Sequence, residues 1–180
     1  HELDIKIILD GVFNHTGSDS LYLNKEGRYG AGGACRDPHS PYRSWYCWKD
    51  PAANLYESWW GFQSLPKLNS RDKSWREFLC GENGIVRHWL RLGADGWRLD
   101  VVDEYPDELV RMIRAAARAE KPDALILGEV WEDASCKEAY GEQRQYLMGH
   151  ELDSAMNYPL RQAILDYLLR GDGTAFRLRL

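Results

Sequence analysis

Two carboxylate residues each end a short apolar segment and are suited to acid–base or nucleophilic chemistry. The first, Asp100, closes the segment Gly96-Trp97-Arg98-Leu99-Asp100. In a β-strand alternate side chains share a face, so Arg98 and Asp100 are expected on the same side. A neighbouring cation lowers the pKa of a carboxyl, and we therefore expect Asp100 to be ionised and to act as a base or nucleophile. A structural ion pair that caps the strand is the alternative.

The second carboxylate, Glu129, lies near the end of the almost wholly apolar segment 124–130, which is typical of a parallel strand buried on both faces. Between the two acids, residues 106–120 carry apolar side chains at helical spacing, and Pro106 suits a first helical turn. A strand–helix–strand unit places its two strands parallel and side by side. Neighbouring strands lie about 4.8 Å apart, so the carboxylates are expected at about 5 Å, the separation of a retaining glycosidase pair.

A third strand that ends in an acid is predicted at residues 5–10, which finish at Asp10. The polar loop that follows carries Asn14 and His15, and barrel enzymes keep their catalytic groups in such loops. Both side chains are suited to hydrogen-bonding a ligand or to binding a metal ion, although a single histidine often has a structural role. The repeated pattern of strand, acid and loop indicates an α/β fold with its functional groups at one edge of a parallel sheet.

The regular pattern stops over residues 16–70, where glycine, proline, polar and aromatic residues are mixed. Structureless loops of this length are uncommon, so we predict a small irregular subdomain inserted over the mouth of the site. We expect most of its clustered aromatic residues to form a core of the subdomain's own, and one or two to stack on sugar; they are Trp45, Tyr46, Trp48, Tyr56, Trp59 and Trp60. The chain is thus divided into a barrel strand and catalytic loop (1–15), the subdomain (16–70) and further βα units (71–180).

The remaining segments continue the alternation of strands and helices. Apolar spacing predicts helices around residues 75–79 and 85–90, the second ended by Gly93. Residues 137–148 have a weakly helical pattern, residues 152–158 are predicted as a fourth strand, and Pro159 opens a last helix. We expect the chain to be part of a longer protein, because a complete barrel takes about 250 residues and this chain has 180.

Composition argues against several classes of function. The formal net charge is -5 and there is no basic run, which is unlike a nucleic-acid-binding protein, and no apolar stretch is long enough to span a membrane. The four cysteines lack the close spacing of zinc sites and are expected to be free; they are Cys35, Cys47, Cys80 and Cys136. The compartment stays open, with a slight preference for the cytoplasm.

Several segments resemble, in order and spacing, signature segments of the α-amylase family of glycoside hydrolases, glycoside hydrolase family 13. Three of them are Asp10-Gly11-Val12-Phe13-Asn14-His15, Gly96-Trp97-Arg98-Leu99-Asp100 and Gly128-Glu129-Val130. Two more are similar to the neopullulanase, cyclomaltodextrinase and maltogenic amylase branch, and they are Leu65-Pro66-Lys67-Leu68-Asn69 and Met156-Asn157-Tyr158-Pro159. The resemblance covers essentially the whole chain. It implies a partial (β/α)8 TIM barrel, about strands three to six, with an irregular subdomain inserted after the third strand.

The resemblance also implies a function. Asp100 would be the nucleophile and Glu129 the general acid of a retaining hydrolase that cleaves α-1,4 bonds of starch, maltodextrins, cyclodextrins or pullulan. Arg98 would orient Asp100, and the other residues expected at the sugar are His15, Asp10, Glu104 and Trp131. These roles agree with the residues themselves, because a cation lowers the pKa of Asp100 and an apolar strand raises that of Glu129.

The resemblance places Asn14 where calcium-dependent relatives carry a metal ligand, although no cofactor is required for the chemistry. Many of those relatives also have a Lys-His pair where this chain has Asp103-Glu104, which weakens a calcium site there. The family's third carboxylate, an Asp that follows a His in a later segment, has no match here, so the chain alone is expected to be inactive. The expected partner is an α-glucan, and the longer protein is expected to form a homodimer.

Two alternatives stay open at this stage. A transglycosylase of the same family would use the same nucleophile and acid but let a sugar hydroxyl replace water in the second step. A non-catalytic amylase-like protein that binds glycans or partners would be expected to have lost one carboxylate, whereas Asp100 and Glu129 are both present.

Overall fold

The computed structural model describes residues 3–174. Residues 1–2 and 175–180, which begin the predicted range 1–15 and end the predicted range 71–180, lie outside the described residues. In chain order the elements are β1 (Ile8–Gly11), β2 (Trp48–Asp50), β3 (Leu55–Tyr56), α1 (Lys73–Cys80), α2 (Ile85–Arg91), β4 (Gly96–Leu99), α3 (Asp107–Glu120), β5 (Leu125–Gly128), β6 (Glu138–Ala139), β7 (Glu142–Gln143), β8 (Ser154–Ala155) and α4 (Tyr158–Arg170). Four strands form one parallel sheet in the order β1-β4-β5-β8. The predicted α/β fold with a parallel sheet is confirmed.

The register of this sheet brings the acid-tipped strands to a common level. Asp10 of β1 lies opposite Arg98 of β4, and Leu99 lies opposite Gly128 of β5. Asp100 directly follows Leu99 and Glu129 directly follows Gly128, so the two acids lie side by side at the ends of neighbouring strands. Strands β4 and β5 approach closely at Gly96, where a Cβ atom would lie 2.3 Å from the Leu125 carbonyl oxygen.

The helix between the two strands forms where its apolar spacing predicts. Pro106 occupies the N-cap of α3, and the helix buries a stripe of five residues: Leu109, Val110, Ile113, Ala116 and Ala117. Asp107 and Glu108 lie in the first turn, where the positive end of the helix dipole favours acidic side chains. The preceding α1 begins where the Asp72 carboxylate accepts a hydrogen bond from the Trp75 backbone N–H at 2.8 Å.

The segment between β1 and α1 contains one short antiparallel pair, β2 with β3, two 3₁₀ turns at Arg43–Trp45 and Trp59–Gly61, and otherwise irregular structure. Its two ends meet, because His15 forms an antiparallel bridge with Lys67 and the Thr16 N–H donates to the Pro66 carbonyl at 3.2 Å. The prediction of a separate aromatic core was wrong. The Trp45 ring packs 5.3 Å from that of Trp75 in α1, and Trp45, Tyr46 and Tyr56 belong to one core with the sheet and helices.

Two predictions for the later segments need correction. Residues 137–148 are not helical, because β6 and β7 form an antiparallel hairpin whose turn consists of Tyr140 and Gly141. The fourth strand is much shorter than predicted, and β8 covers Ser154–Ala155. The last helix does begin around Pro159, capped by the Asn157 side chain, which accepts from the Leu160 N–H at 2.9 Å.

Two expectations from composition can be compared with the described part of the chain. The four cysteines are free thiols, as predicted, and burial raises the pKa of Cys80 to about 12. Among residues 3–174 no helix is long and apolar enough to cross a membrane. The predicted division into ranges 1–15, 16–70 and 71–180 stays a prediction.

Candidate active site

One guanidinium group joins three carboxylates at the carboxyl ends of the strands. Nη1 of Arg98 lies 2.5 Å from Asp10 Oδ1 and 2.8 Å from Asp100 Oδ1, while its Nη2 lies 3.0 Å from Glu129 Oε1. The side chains of Arg98 and Asp100 are each 20% exposed and that of Glu129 is 8% exposed. The three acid-tipped strands predicted from the sequence therefore do converge, with Arg98 at the centre.

The Glu129 carboxylate has further donors around it. Its Oε1 accepts from Trp131 Nε1 at 2.9 Å and from the Tyr158 hydroxyl at 3.0 Å, and its Oε2 accepts from the Val101 backbone N–H at 2.9 Å. Val101 has φ 40°, in the left-handed region that a β-branched residue rarely adopts. Val101 directly follows Asp100, and its strained backbone directs its N–H toward the Glu129 carboxylate.

The pKa directions are the reverse of those predicted. Burial raises the pKa of the Asp100 carboxyl, and the contact with Arg98 offsets only part of this effect. Burial also acts to raise the pKa of Glu129, but its hydrogen bonds from Trp131, Val101 and Tyr158 and the charge of Arg98 outweigh it, so this pKa is lowered. The apolar strand that carries Glu129 therefore does not decide its protonation.

Asn14 and His15 lie buried beside the cluster. Asn14 Nδ2 is 3.3 Å from His15 Nδ1, and the His15 ring stacks on Trp59 with centroids 5.6 Å apart. Burial lowers the pKa of His15 against the opposing charges of Asp100 and Glu104. No group of three or more His, Cys, Asp and Glu side chains within residues 3–174 is placed to hold a metal ion. The calcium ligand at Asn14 stays a prediction.

Glu104 lies at a junction of three segments. Its Oε2 accepts hydrogen bonds from Lys67 Nζ at 3.1 Å and from the Tyr140 hydroxyl. One residue earlier, Asp103 pairs with Lys137 Nζ at 3.1 Å. The acid pair Asp103-Glu104 thus binds lysine side chains and a tyrosine, partners that the sequence analysis did not identify because they come from distant segments.

Exposed aromatic rings lie beside Glu129. The Trp131 ring is 44% exposed and stands edge-on to Trp60 at 5.5 Å between centroids. Trp60 is 66% exposed with φ 49°, so it is one of the clustered aromatic residues that do not lie in a core. Tyr158 was missed as a partner of Glu129; the sequence signal for it was its position directly before Pro159, at the start of the last predicted helix.

A parallel sheet whose strands end in clustered carboxylates beside exposed aromatic rings is the arrangement expected of a glycoside hydrolase site. Residues 1–177 match the family model described as "Alpha amylase, catalytic domain". The chain belongs to the α-amylase family, as the signature segments predicted.

Named relatives support this membership. The chain is 39% identical to an amylopullulanase of Thermoanaerobacter thermohydrosulfuricus, over 94% of this chain and 12% of that protein. It is 33% identical to neopullulanase 2 of Thermoactinomyces vulgaris, over 96% of this chain and 27% of that protein. A solved structure of cyclic α-maltosyl-(1→6)-maltose hydrolase from Arthrobacter globiformis matches with a TM-score of 0.76 and 26% identity, over 96% of this chain and 36% of that one.

The chain therefore spans between about an eighth and about a third of the length of these relatives. The relatives carry the names of α-glucan hydrolases, including one from the predicted neopullulanase branch. The fold brings together Asp10, Arg98, Asp100, Glu129 and Trp131. His15 and Glu104 are close enough for the charge of Glu104 to act on the pKa of His15. The individual roles assigned to these residues remain predictions.

Proposed function

We propose that the protein containing this chain is a retaining α-glucan hydrolase that cleaves α-1,4-glucosidic bonds in starch, maltodextrins, cyclodextrins or pullulan. The observation that carries the proposal is the Arg98 guanidinium, which contacts Asp100 and Glu129 at the ends of adjacent strands. Two carboxyl groups on neighbouring strand ends suit the short separation that a double-displacement mechanism needs. The names of the relatives support the substrate class.

In the proposed first step, an oxygen of ionised Asp100 attacks the anomeric carbon and the glycosidic carbon–oxygen bond breaks. The proton of Glu129 passes to the departing sugar oxygen, which leaves a covalent glycosyl–Asp100 intermediate. In the second step, ionised Glu129 takes a proton from water while the water oxygen attacks the same carbon and releases Asp100. Two inversions at one carbon retain its configuration.

The other side chains have supporting roles in this proposal. Arg98 orients Asp100 through the 2.8 Å contact, and Asp10, His15, Glu104 and Trp131 line the sugar site. The two carboxylates supply the nucleophile and the proton donor, so the proposed chemistry needs no cofactor, and a calcium ion at Asn14 would have a structural role. We also propose that residues 1–180 alone are inactive, because the family's third carboxylate has no match in them.

A product analysis of the full-length protein tests the proposal. Pullulan, soluble starch and a cyclodextrin are each incubated with enzyme, and the linkage and anomeric form of the first products are followed by NMR. We expect panose from pullulan, with the α anomer formed first. Maltotriose would instead indicate α-1,6 cleavage, longer transfer products would indicate a transglycosylase, and no product from any substrate would favour a binding protein.

Substitutions at the two carboxylates test the assigned roles in the same assay. Asp100→Asn and Glu129→Gln keep side-chain size and remove the nucleophile or the proton donor, so turnover is expected to fall by roughly three or more orders of magnitude. Binding of maltohexaose is expected to persist, because most sugar contacts remain. Turnover close to wild type in either variant would overturn the assignment.

A further inference from the structure

The β6–β7 hairpin is attached to the loop that follows Asp100 at two points. Near its base, Lys137 Nζ contacts Asp103 Oδ2 at 3.1 Å, and the lysine side chain is 12% exposed. At its tip, the Tyr140 hydroxyl donates to Glu104 Oε2. Consecutive acids of one loop therefore hold the base and the tip of the hairpin, which fixes the position of the tip beside the strand ends.

Tyr140 occupies a backbone conformation that does not favour its residue type. It has φ 56° and the following Gly141 has φ 77°, in a two-residue turn between the paired residues Ala139 and Glu142. Turns with two positive φ angles prefer Asn-Gly or Asp-Gly, and a bulky aromatic residue at the first position is unfavourable. Turn formation does not explain the tyrosine, and residues held in such conformations cluster at ligand-binding sites.

The ring of Tyr140 is both fixed and accessible. The residue is 71% exposed, its hydroxyl is bound by Glu104, and Lys67 Nζ lies 5.7 Å from the ring centroid. The ammonium group and the hydrogen bond restrict ring motion while most of its surface stays open to solvent. A rigid, exposed aromatic ring is a suitable surface for the apolar face of a sugar.

The neighbours of Tyr140 place it next to the catalytic cluster. Lys67, which contacts its ring, forms a backbone bridge with His15. Glu104 accepts the hydrogen bond from the Tyr140 hydroxyl, and its negative charge, like that of Asp100, acts to raise the pKa of His15. The hairpin tip therefore shares its immediate partners with the proposed sugar site and lies at the border of that site.

We propose that Tyr140 is a specificity-determining residue that stacks on a glucose unit of the α-glucan and extends the binding site toward longer chains. This inference rests on the proposed function, because it assumes that the site at Asp100 and Glu129 accepts an α-glucan. The sugar stacks on the accessible ring, and Glu104 and Lys67 hold that ring in place.

Calorimetric binding of maltose and maltohexaose to the full-length protein tests the proposal, in an Asp100→Asn background that prevents turnover. Tyr140→Asn removes the ring and inserts a residue that suits the left-handed turn, so the melting temperature should not fall. We expect maltohexaose to bind roughly three- to tenfold more weakly, the loss of one stacking contact, with a smaller change for maltose. Tyr140→Phe keeps the ring and loses the Glu104 hydrogen bond, so it should retain most of the affinity.

Tyr29→Asn is the matched control, because it removes an exposed tyrosine that is 51% accessible and lies in the segment between β1 and α1. It should leave both affinities unchanged. The proposal is overturned if Tyr140→Asn binds maltohexaose as its background does, if it loses equal affinity for both sugars, or if the background binds no maltohexaose. A wild-type protein that does not hydrolyse maltohexaose, while the background binds it, would instead disprove the proposed function and leave this comparison valid.

Discussion

Four N–H or O–H groups point at the Glu129 carboxylate, from Arg98, Val101, Trp131 and Tyr158. These donors favour the ionised form, and the lowered pKa of Glu129 follows. A general acid must carry a proton, and Trp131 Nε1 can only donate, so protonated Glu129 fits this site less well than ionised Glu129. In the proposed mechanism, bound substrate must therefore displace one of these donors or exclude water from the site. Either change raises the pKa of Glu129, so that it can carry the proton it donates.

The pH dependence of hydrolysis should report this hydrogen bonding. In Trp131→Phe one donor to the Glu129 carboxylate is lost, which destabilises the charged form and raises its pKa. The alkaline limb of kcat/KM reports loss of the acid's proton in the free enzyme, so it should move to higher pH. Steady-state kinetics on maltohexaose from pH 3 to 8 measures the shift, because the lowered pKa of Glu129 places the wild-type limb at low pH. Trp60→Phe, which alters a ring beside Trp131, is the control and should leave the limb in place.

An unchanged alkaline limb in Trp131→Phe would show that the Trp131 hydrogen bond does not set the protonation of Glu129 in solution. A shift to lower pH would contradict the stated electrostatics altogether. Either result would require another residue as the acid or another source for the limb.

Sequence reasoning identified Asp100, Arg98 and Glu129 because strand alternation and one crossover helix suffice to bring them together. It failed on their pKa values because hydrogen bonds and burial decide them, and the sequence shows neither, even for Trp131, which is two residues from Glu129. Tyr158 lies 29 residues from Glu129 along the chain, and the burial of Asp100 depends on the packing of the whole strand end. The sequence shows that Arg98 is near Asp100, but it does not show how far folding shields Asp100 from solvent.

At the scale of the elements, the strands are aligned by acids that bind the backbone of the next strand. The Ile7 N–H donates to Asp95 Oδ2 at 2.8 Å, and the Ile126 N–H donates to Asp153 Oδ2 at 2.8 Å. Helix α3 supplies the cations, with Arg114 and Arg118 each 2.8 Å from Asp153 Oδ1. At Asp95 the cation is Lys121, the residue directly after α3, whose Nζ lies 2.5 Å from Asp95 Oδ1. Both acids lie at the strand starts, opposite the catalytic end.

Asp153→Asn should destabilise the fold in a pH-dependent way. Burial acts to raise the pKa of Asp153, but the Ile126 N–H and the two arginines outweigh it, and the pKa is lowered on folding. The resulting stability is present above the unfolded-state pKa of about 3.9 and disappears as pH falls through the folded value. We expect a loss of about 1–2 kcal/mol at pH 7 that shrinks below about pH 4.

Denaturant melts of wild type and variant at pH 3 and pH 7 measure this difference. Asp19→Asn is the control, because its pair with Arg28 has side chains 54% and 63% exposed and should contribute little. A difference of equal size at both pH values would show that packing, and not the charge of Asp153, causes the loss.

The elements were predictable where a regular pattern was long. Helix α3 follows its apolar period through fourteen residues, and the structure has it almost as predicted. The β6–β7 hairpin was mistaken for a helix, because its strands have two residues each and its turn lacks the Asn-Gly or Asp-Gly pair that announces such hairpins. Contacts of its base and tip with Asp103 and Glu104 override the weak local preference.

At the scale of the whole molecule, the sheet is open. Among residues 3–174, strand β1 pairs with β4 and strand β8 pairs with β5, so each has one edge without a strand partner in the sheet. Large apolar side chains lie exposed near one edge and on α4; they are Ile5, Ile7, Ile8, Tyr167, Leu168 and Leu169. Exposed strand edges and apolar surface of this kind promote association with other chains.

The polypeptide of residues 1–180, produced by itself, should therefore self-associate. Light scattering coupled to gel filtration at micromolar concentration is expected to give species larger than the 20.8 kDa monomer. Leu168→Glu with Leu169→Glu places charges on the exposed face of α4 and should reduce the average mass. Leu21→Glu, at a residue 48% exposed in the segment between β1 and α1, is the control. A stable monomer in the unsubstituted polypeptide would contradict the expectation.

The bridge between His15 and Lys67 has an implication for protein engineering and for the divergence of relatives. The chain leaves β1 and continues toward α1 through the same pair of hydrogen-bonded stems, so the loop between them can be lengthened at a small cost in entropy. A loop transplanted from a relative would be joined to the chain at His15 and Lys67, and the register of the sheet would not change. It would have to bring an aromatic side chain equivalent to Trp45, because that ring completes the packing around Trp75.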